Sequence, residues 1–175
     1  KEINLISSKT EAISRERHII DCAQIIDIID EKMSSCTDIG SGSGLPGIVL
    51  AIIMKHKKSS MKFYLYEKSY HKSNFLKQVT QKFNLNVEIF QKDIFQEKNL
   101  ASDIIVARAF KPIQIILELV ASNFKSFKEI ILFLGKNGKE MIDDALGKWH
   151  FDYIVRSSLT SKESSVLKIK NLKRK

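Results

Sequence analysis

The chain reads as an α/β fold, a mostly parallel seven-stranded sheet flanked by helices, and three observations predict it. Short apolar segments bounded by turn residues alternate with segments of helical periodicity. A glycine-rich loop joins the first of those strands to the helix that follows it. The 175 residues are 43% hydrophobic, enough for one core that buries roughly two-thirds of the unfolded chain's surface. With only two prolines, no low-complexity linker and no fixed-period repeat, nothing divides the chain. A single domain over 1–175 is expected, a helical segment over 1–34 followed by a strand-and-helix body over 35–175.

The elements follow in order. From about Thr10 to Met33, apolar side chains at Ile13, Ile20, Ala23, Ile26 and Ile29 suit one amphipathic helix. Strands are expected at Cys36 to Ile39, Lys62 to Tyr66, Asn86 to Phe90, Asp103 to Val106, Glu129 to Leu134, Asp152 to Val155 and Ser165 to Ile169. Between them lie a helix over Ile48 to Lys55, one with Phe75, Leu76, Val79 and Phe83 on a face, and one with Ile113, Ile116, Leu117, Val120 and Phe124. Pro112 suits the first turn of that last helix, where its missing N–H is no loss. Strands alternating with helices imply parallel pairing through right-handed crossovers. After Val120 the alternation weakens, and an antiparallel strand is one way to close the sheet.

A net charge of +9 favours an anionic partner, of which nucleic acid is the commonest. The richness in Ile, Lys, Asn and Ser, as AT-rich codons produce, accounts for part of that excess. The longest apolar runs fall well short of a membrane span, and Lys1-Glu2-Ile3-Asn4 does not open a signal peptide. A cytoplasmic protein without a membrane partner is expected. Cys22, on a helix, and Cys36, at a strand start, lack metal-ligand spacing and disulfide density, so both read as buried thiols and no metal site is expected.

The most informative stretch is Asp38-Ile39-Gly40-Ser41-Gly42-Ser43-Gly44-Leu45-Pro46-Gly47, between a strand and a helix. Glycines let the backbone approach a ligand closely, and the helix start offers unpaired N–H groups. A dinucleotide fingerprint would need glycine where Leu45 stands, and the G-K-[ST] ending of a phosphate loop is absent. The G-x-G-x-G spacing fits the first motif of S-adenosylmethionine methyltransferases better; a tight turn without ligand is the plain alternative. Glu67 ends the second strand, where an acid can accept hydrogen bonds from both ribose hydroxyls beside Gly40. Asp93 comes third in that row, near an adenine, although Asp also favours turns.

These residues resemble a known family, the ribosomal RNA small-subunit methyltransferase G (glucose-inhibited division protein B) family. Its D-[VIL]-G-[ST]-G-x-G-[FL]-P-G loop is similar to Asp38 through Gly47, Leu-Pro-Gly ending included. Asn4-Leu5, Arg17-His18-Ile19-Ile20-Asp21 and Ala107-Arg108-Ala109-Phe110 resemble its N-L, R-H-[IL]-x-D and [ST]-R-A-[FV] segments, and Leu134-Gly135-Lys136-Asn137-Gly138 more loosely its strand ending in L-K-G. The likeness spans nearly the whole chain. Departures are Asp93-Ile94-Phe95, where the family shows an arginine, a small residue and a glutamate, and Ala107, where a hydroxyl residue is common. Family members usually begin with further helical residues, so the chain is expected to be shortened at its N-terminus or naturally small.

The resemblance implies a Rossmann-like class I fold, S-adenosyl-L-methionine as cofactor, and methyl transfer to N7 of a guanosine in 16S ribosomal RNA, free or in the small subunit, by a monomer. N7 carries a lone pair and no proton, so no acid or base is expected, and alignment of the reactants supplies much of the acceleration. Asp38, Gly40, Gly42, Gly44 and Leu45 are expected around the methionine part, Glu67 at the ribose, and Asp93, Ile94 and Phe95 at the adenine. Arg108 is a positioning residue for the cofactor carboxylate or an RNA phosphate, with a surface ion pair as the plain alternative. Arg17, His18 and Lys136 are RNA-binding candidates, with the tail residues Lys168, Lys170, Lys173, Arg174 and Lys175 behind them. A small-molecule methyltransferase or a non-catalytic RNA-binding assembly protein are the rival readings.

Overall fold

A computed structural model of the chain describes residues 15–30 and 32–175, with side chains from residue 18 onward. Among the described residues there are nine strands and five α-helices. The strands are β1 (Ser35–Ile39), β2 (Lys62–Tyr66), β3 (Val87–Phe90), β4 (Leu100–Ala101), β5 (Ile104–Arg108), β6 (Phe124–Ser126), β7 (Glu129–Leu134), β8 (Trp149–Ser157) and β9 (Ser165–Arg174). The helices are α1 (Asp21–Ala23), α2 (Gly47–His56), α3 (Tyr70–Lys82), α4 (Ile113–Asn123) and α5 (Gly138–Lys148).

Seven strands form one sheet in the order β3-β2-β1-β5-β7-β9-β8, while β4 and β6 pair separately. Strands β3, β2, β1, β5 and β7 are parallel neighbours. Strand β9 runs antiparallel to both β7 and β8. The sheet is thus closed by a hairpin whose second arm slots between β7 and β8. The strand order reverses between β1 and β5, which opens a crevice at their C-terminal ends.

The sheet is covered on both faces, and its strands show why. Ile104 and Val106 of β5 enter the layer with Leu50 and Met54 of α2 and Leu76 of α3. Ile105 and Ala107 enter the opposite layer with Ile116, Leu117 and Val120 of α4 and Ile142 and Ala145 of α5. A strand apolar at consecutive positions must be buried on both sides, since successive side chains point to opposite faces. Cys22 and Cys36 are buried free thiols, and burial pushes the Cys22 thiol up to about 12.

Three expectations need correction. The part of the Thr10 to Met33 helix before residue 15 lies outside the described residues. The rest is not one helix: a π-helical stretch (Arg15–Ile20), α1 and a 3-10 turn (Ile26–Ile28) follow one another. Cys22, Ile25 and Ile29 are buried, whereas Ile20 is exposed. The cause is polar: Asp21 and Gln24 turn inward to bond each other and the loop after β8, which rotates the apolar face. Phe124, expected on the face of α4, is instead extended and begins β6 against Leu100. Finally, α5, β4 and β6 have no counterpart in the sequence reading, because their apolar positions are too few to set a period.

Candidate active site

The first turn after β1 builds one wall. Gly40, Gly42 and Gly44 all adopt positive φ, 73°, 57° and 93°, a region open to glycine at no steric cost. The loop is pinned to β2, Ser41 N–H donating to the Tyr66 carbonyl at 2.9 Å, and is closed on itself by Gly44 N–H donating to the Ser41 carbonyl at 2.7 Å. From within, Asp38 Oδ2 accepts the Gly47 N–H at 2.9 Å. Burial pushes the Asp38 carboxyl up to about 7, the Gly47 N–H opposing that rise and the Glu67 carboxylate adding to it.

Glu67 ends up beside that loop because β1 and β2 are parallel and in register through Ile39 and Tyr66. Its Oε2 accepts the Gly42 N–H at 2.9 Å and its Oε1 the Ser69 N–H at 2.7 Å. Each carboxylate oxygen carries two lone pairs, so both retain acceptor capacity for a ligand. One strand further, Asp93 Oδ1 accepts the Phe95 N–H at 3.2 Å and holds the turn Ile94–Gln96. Asn123 at the end of α4 braces that turn, donating from Nδ2 to the carbonyls of Ile94, Phe95 and Glu97 at 3.0, 3.2 and 2.6 Å.

On the other side of the crevice Arg108 ends β5. Its Nε donates to Asp21 Oδ2 at 3.3 Å, and its Nη2 lies 3.1 Å from His18 Nδ1. Ala109 follows at φ 50°, and the Phe110 ring folds back over Gly40 and stacks toward Phe95 with centroids 6.0 Å apart.

These walls enclose a cavity of about 910 Å³ that runs along the C-terminal ends of β1, β2, β5 and β7. Of the expected site residues it gathers Gly40, Gly42, Leu45, Glu67, Asp93, Ile94, Phe95, Arg108 and His18. Asp38 and Gly44, expected with them, do not line it. Asp38 lies beneath the loop on Gly47, and a side chain on Gly44 would point at Ile48 and Leu76 rather than at the cavity. Both shape the loop from behind.

Lys136 also stands outside the cavity lining, 3.6 Å from Glu163, and the side chain of Arg17 lies outside the described residues. Among the tail candidates, Lys168 and Lys170 are committed to the buried Glu129 at 2.8 and 2.9 Å. Arg174 pairs with Glu118 at 3.1 Å, while Lys173 and Lys175 are exposed.

Sequence reasoning missed several cavity residues. Lys68, Lys72, Lys92 and Lys111 stand along its rim, and nothing in their spacing distinguishes them from the chain's other lysines. Asp21 and Phe110 also line it. Both stood inside motifs singled out above, so a signal was present without a role attached.

Comparison with known proteins agrees with this geometry. The model of the family described as rRNA small subunit methyltransferase G matches residues 1–170. The ribosomal RNA small subunit methyltransferase G of Pelagibacter ubique is 48% identical over 177 aligned positions, covering all of this chain and 83% of that protein. The protein of the same name from Rickettsia africae is 35% identical over 98% of this chain and 86% of its own length. Among solved structures, M. jannaschii TYW2 in complex with AdoMet superposes with a TM-score of 0.62 at 16% identity, over 90% of this chain and 76% of that one. M. capricolum TrmK with S-adenosylhomocysteine gives 0.59 at 14%, over 95% and 69%. At such identities the structures speak for the fold, that of class I methyltransferases, as the sequence reading expected.

Proposed function

The chain belongs to the rRNA small subunit methyltransferase G family, and from that premise we propose that it transfers a methyl group from S-adenosylmethionine to N7 of a guanosine in 16S ribosomal RNA. The observation that carries this reading is the Glu67 carboxylate joined to Gly42 on the wall of the cavity at the sheet's switch point. A cavity of about 910 Å³ lies within the roughly 300–1,000 Å³ usual for cofactor sites.

The residues present fit the cofactor. A charged end at Arg108 and Asp21 suits an amino-acid group, Glu67 suits ribose hydroxyls, and Ile94 with Phe95 suits an apolar adenine face. Bound S-adenosylmethionine supplies a methyl group on a positively charged sulfur. The chain's own part is to hold and align. The glycine loop leaves room for the methionine part, with Leu45 beside it, and the turn at Asp93 flanks the base. Guanine N7 presents an in-plane lone pair and no proton, so no side chain has to act as a base. Near-attack alignment in such a site supplies up to roughly 7–11 kcal/mol of barrier reduction.

On the same reading the rim lysines Lys68, Lys72, Lys92 and Lys111 meet RNA phosphates, while an unstacked guanine enters between the loops after β5 and β7. The enzyme then works as a monomer in the cytoplasm. Among the described residues no helix is long and apolar enough to cross a membrane.

The test is calorimetric titration with S-adenosylmethionine followed by methyl transfer to unmethylated 16S RNA and to small subunits, with the product nucleoside identified by mass spectrometry. Binding in the micromolar range and 7-methylguanosine in the RNA are expected. Binding without transfer to either RNA, with transfer to small molecules, would replace this reading with the small-molecule enzyme.

A further inference from the structure

We infer that Asp21 is a positioning residue: it orients the Arg108 guanidinium for the carboxylate of the cofactor and ties that arginine to the tip of the β8–β9 hairpin. The inference rests on the cofactor site proposed above and adds to it how the arginine is held. Asp21 sits in α1, far from β5 in the chain, yet its carboxylate is buried and receives four side-chain donors. Oδ2 accepts Arg108 Nε at 3.3 Å. Oδ1 accepts Gln24 Nε2 at 2.6 Å, Ser158 Oγ at 2.8 Å and Thr160 Oγ1 at 3.2 Å. Gln24 completes the clamp, its Oε1 accepting the Leu159 N–H at 2.9 Å.

Such a junction is more than a fastening for the N-terminal segment. That segment is already tied to the hairpin strands elsewhere, by Arg156 to Asp27 at 2.6 Å and by Lys168 to the Ile28 carbonyl at 2.7 Å. What Asp21 adds is direction. A guanidinium is a planar fork of five donors, and engaging Nε fixes the plane in which the remaining N–H groups lie. Asp21, Arg108 and Thr160 all line the same cavity. Register places the fork near the glycine loop: Asp38 lies opposite Val106 in the β1–β5 pair, and Gly40 and Arg108, each two residues further, both line the cavity. The anion that belongs beside the glycine loop is the amino-acid carboxylate of the cofactor, and bidentate recognition of a carboxylate is what this side chain does best.

The experiment compares two ligands. S-adenosylhomocysteine carries the amino-acid group; 5′-methylthioadenosine keeps the adenosine and thioether and lacks it. By calorimetry, Asp21→Asn is expected to weaken S-adenosylhomocysteine by about tenfold and to leave methylthioadenosine within about twofold, within the range of coupling between contacting residues. Arg108→Gln is expected to do the same, and Asp21→Asn in that background to add nothing. Equal weakening of both ligands, additive losses in the double variant, or no loss at all overturns the proposal. Should Asp21→Asn fail to fold, Ser158→Ala with Thr160→Ala takes its place. That variant keeps the charge and loosens the carboxylate, so about a threefold loss for S-adenosylhomocysteine alone is expected, and no loss overturns the proposal. If the intact chain binds neither ligand, the cofactor site itself is wrong and this proposal falls with it.

Discussion

The Glu67 carboxylate accepts the main-chain N–H of Gly42 at 2.9 Å, so the acid at the end of β2 and the glycine loop after β1 form one unit. Glu67→Ala therefore removes the carboxylate proposed to hold the ribose and also leaves the Gly42 and Ser69 N–H groups without their partner. A stability loss of about 1–3 kcal/mol is expected by thermal melting, together with at least a tenfold or so loss of S-adenosylmethionine affinity by calorimetry. Glu67→Gln, which keeps one acceptor oxygen, should fall between. Unchanged cofactor affinity in the alanine variant would remove Glu67 from the ribose.

Two glycines of the loop differ in what surrounds them. An added Cβ on Gly42 meets nothing nearer than the Gly40 carbonyl at 3.9 Å, while on Gly44 it would lie 2.5 Å from Ile48 and 2.9 Å from Leu76. Gly42→Ala should cost about 1 kcal/mol of backbone strain alone. Gly44→Ala adds overpacking against α2 and α3 and should cost about 2–4 kcal/mol in all. Equal melting temperatures for the two would contradict this assignment.

The buried Asp38 carboxyl, raised from 3.8 to about 7, makes a pH prediction. A folded-state value above the unfolded one means that the folded chain binds the extra proton between them, so the Asp38 contribution to stability is full below pH 3.8 and declines as pH rises to about 7. Asp38→Asn keeps an acceptor for the Gly47 N–H and does not titrate. Relative to wild type it should gain stability steadily across that window, as followed by denaturant melts at a series of pH values. A difference independent of pH would show that Asp38 does not titrate there.

Asn123 holds the turn Ile94–Gln96 from behind through three carbonyls. Asn123→Ala is expected to destabilise the fold by about 1–3 kcal/mol through unsatisfied buried groups. It should also weaken methylthioadenosine binding, since Ile94 and Phe95 lose their support. Intact nucleoside affinity in a measurably destabilised variant would separate that turn from the base.

The rim lysines give a salt prediction. Each phosphate contact to a single strand adds about 0.7 to the slope of log affinity against log salt. Replacing Lys68, Lys72, Lys92 and Lys111 by Gln, singly and together, should reduce that slope for RNA stepwise. A slope unchanged in the fourfold variant would move the RNA to another face.

Taken by itself, the sequence determined what is local or periodic. Runs such as Ile104 to Val106 had to be strands covered on both faces, and Asp38 through Gly47 had to be a tight glycine turn from a strand into a helix, because backbone conformation and alternation are written over a few neighbouring residues. The row Gly40, Glu67, Asp93 was legible too, since parallel strands bring their C-terminal ends to one side. Tertiary structure alone decided the rest. It turned Asp38 and Gly44 away from the cavity, since which side of a loop a residue presents depends on the helices packed behind it. It broke the expected helix at Asp21 and Gln24, whose partners Ser158, Leu159 and Thr160 lie more than a hundred residues away. It also consumed Lys168 and Lys170 on Glu129, because a charge's partner is set by the pairing of β7 with β9 and not by anything adjacent in the chain.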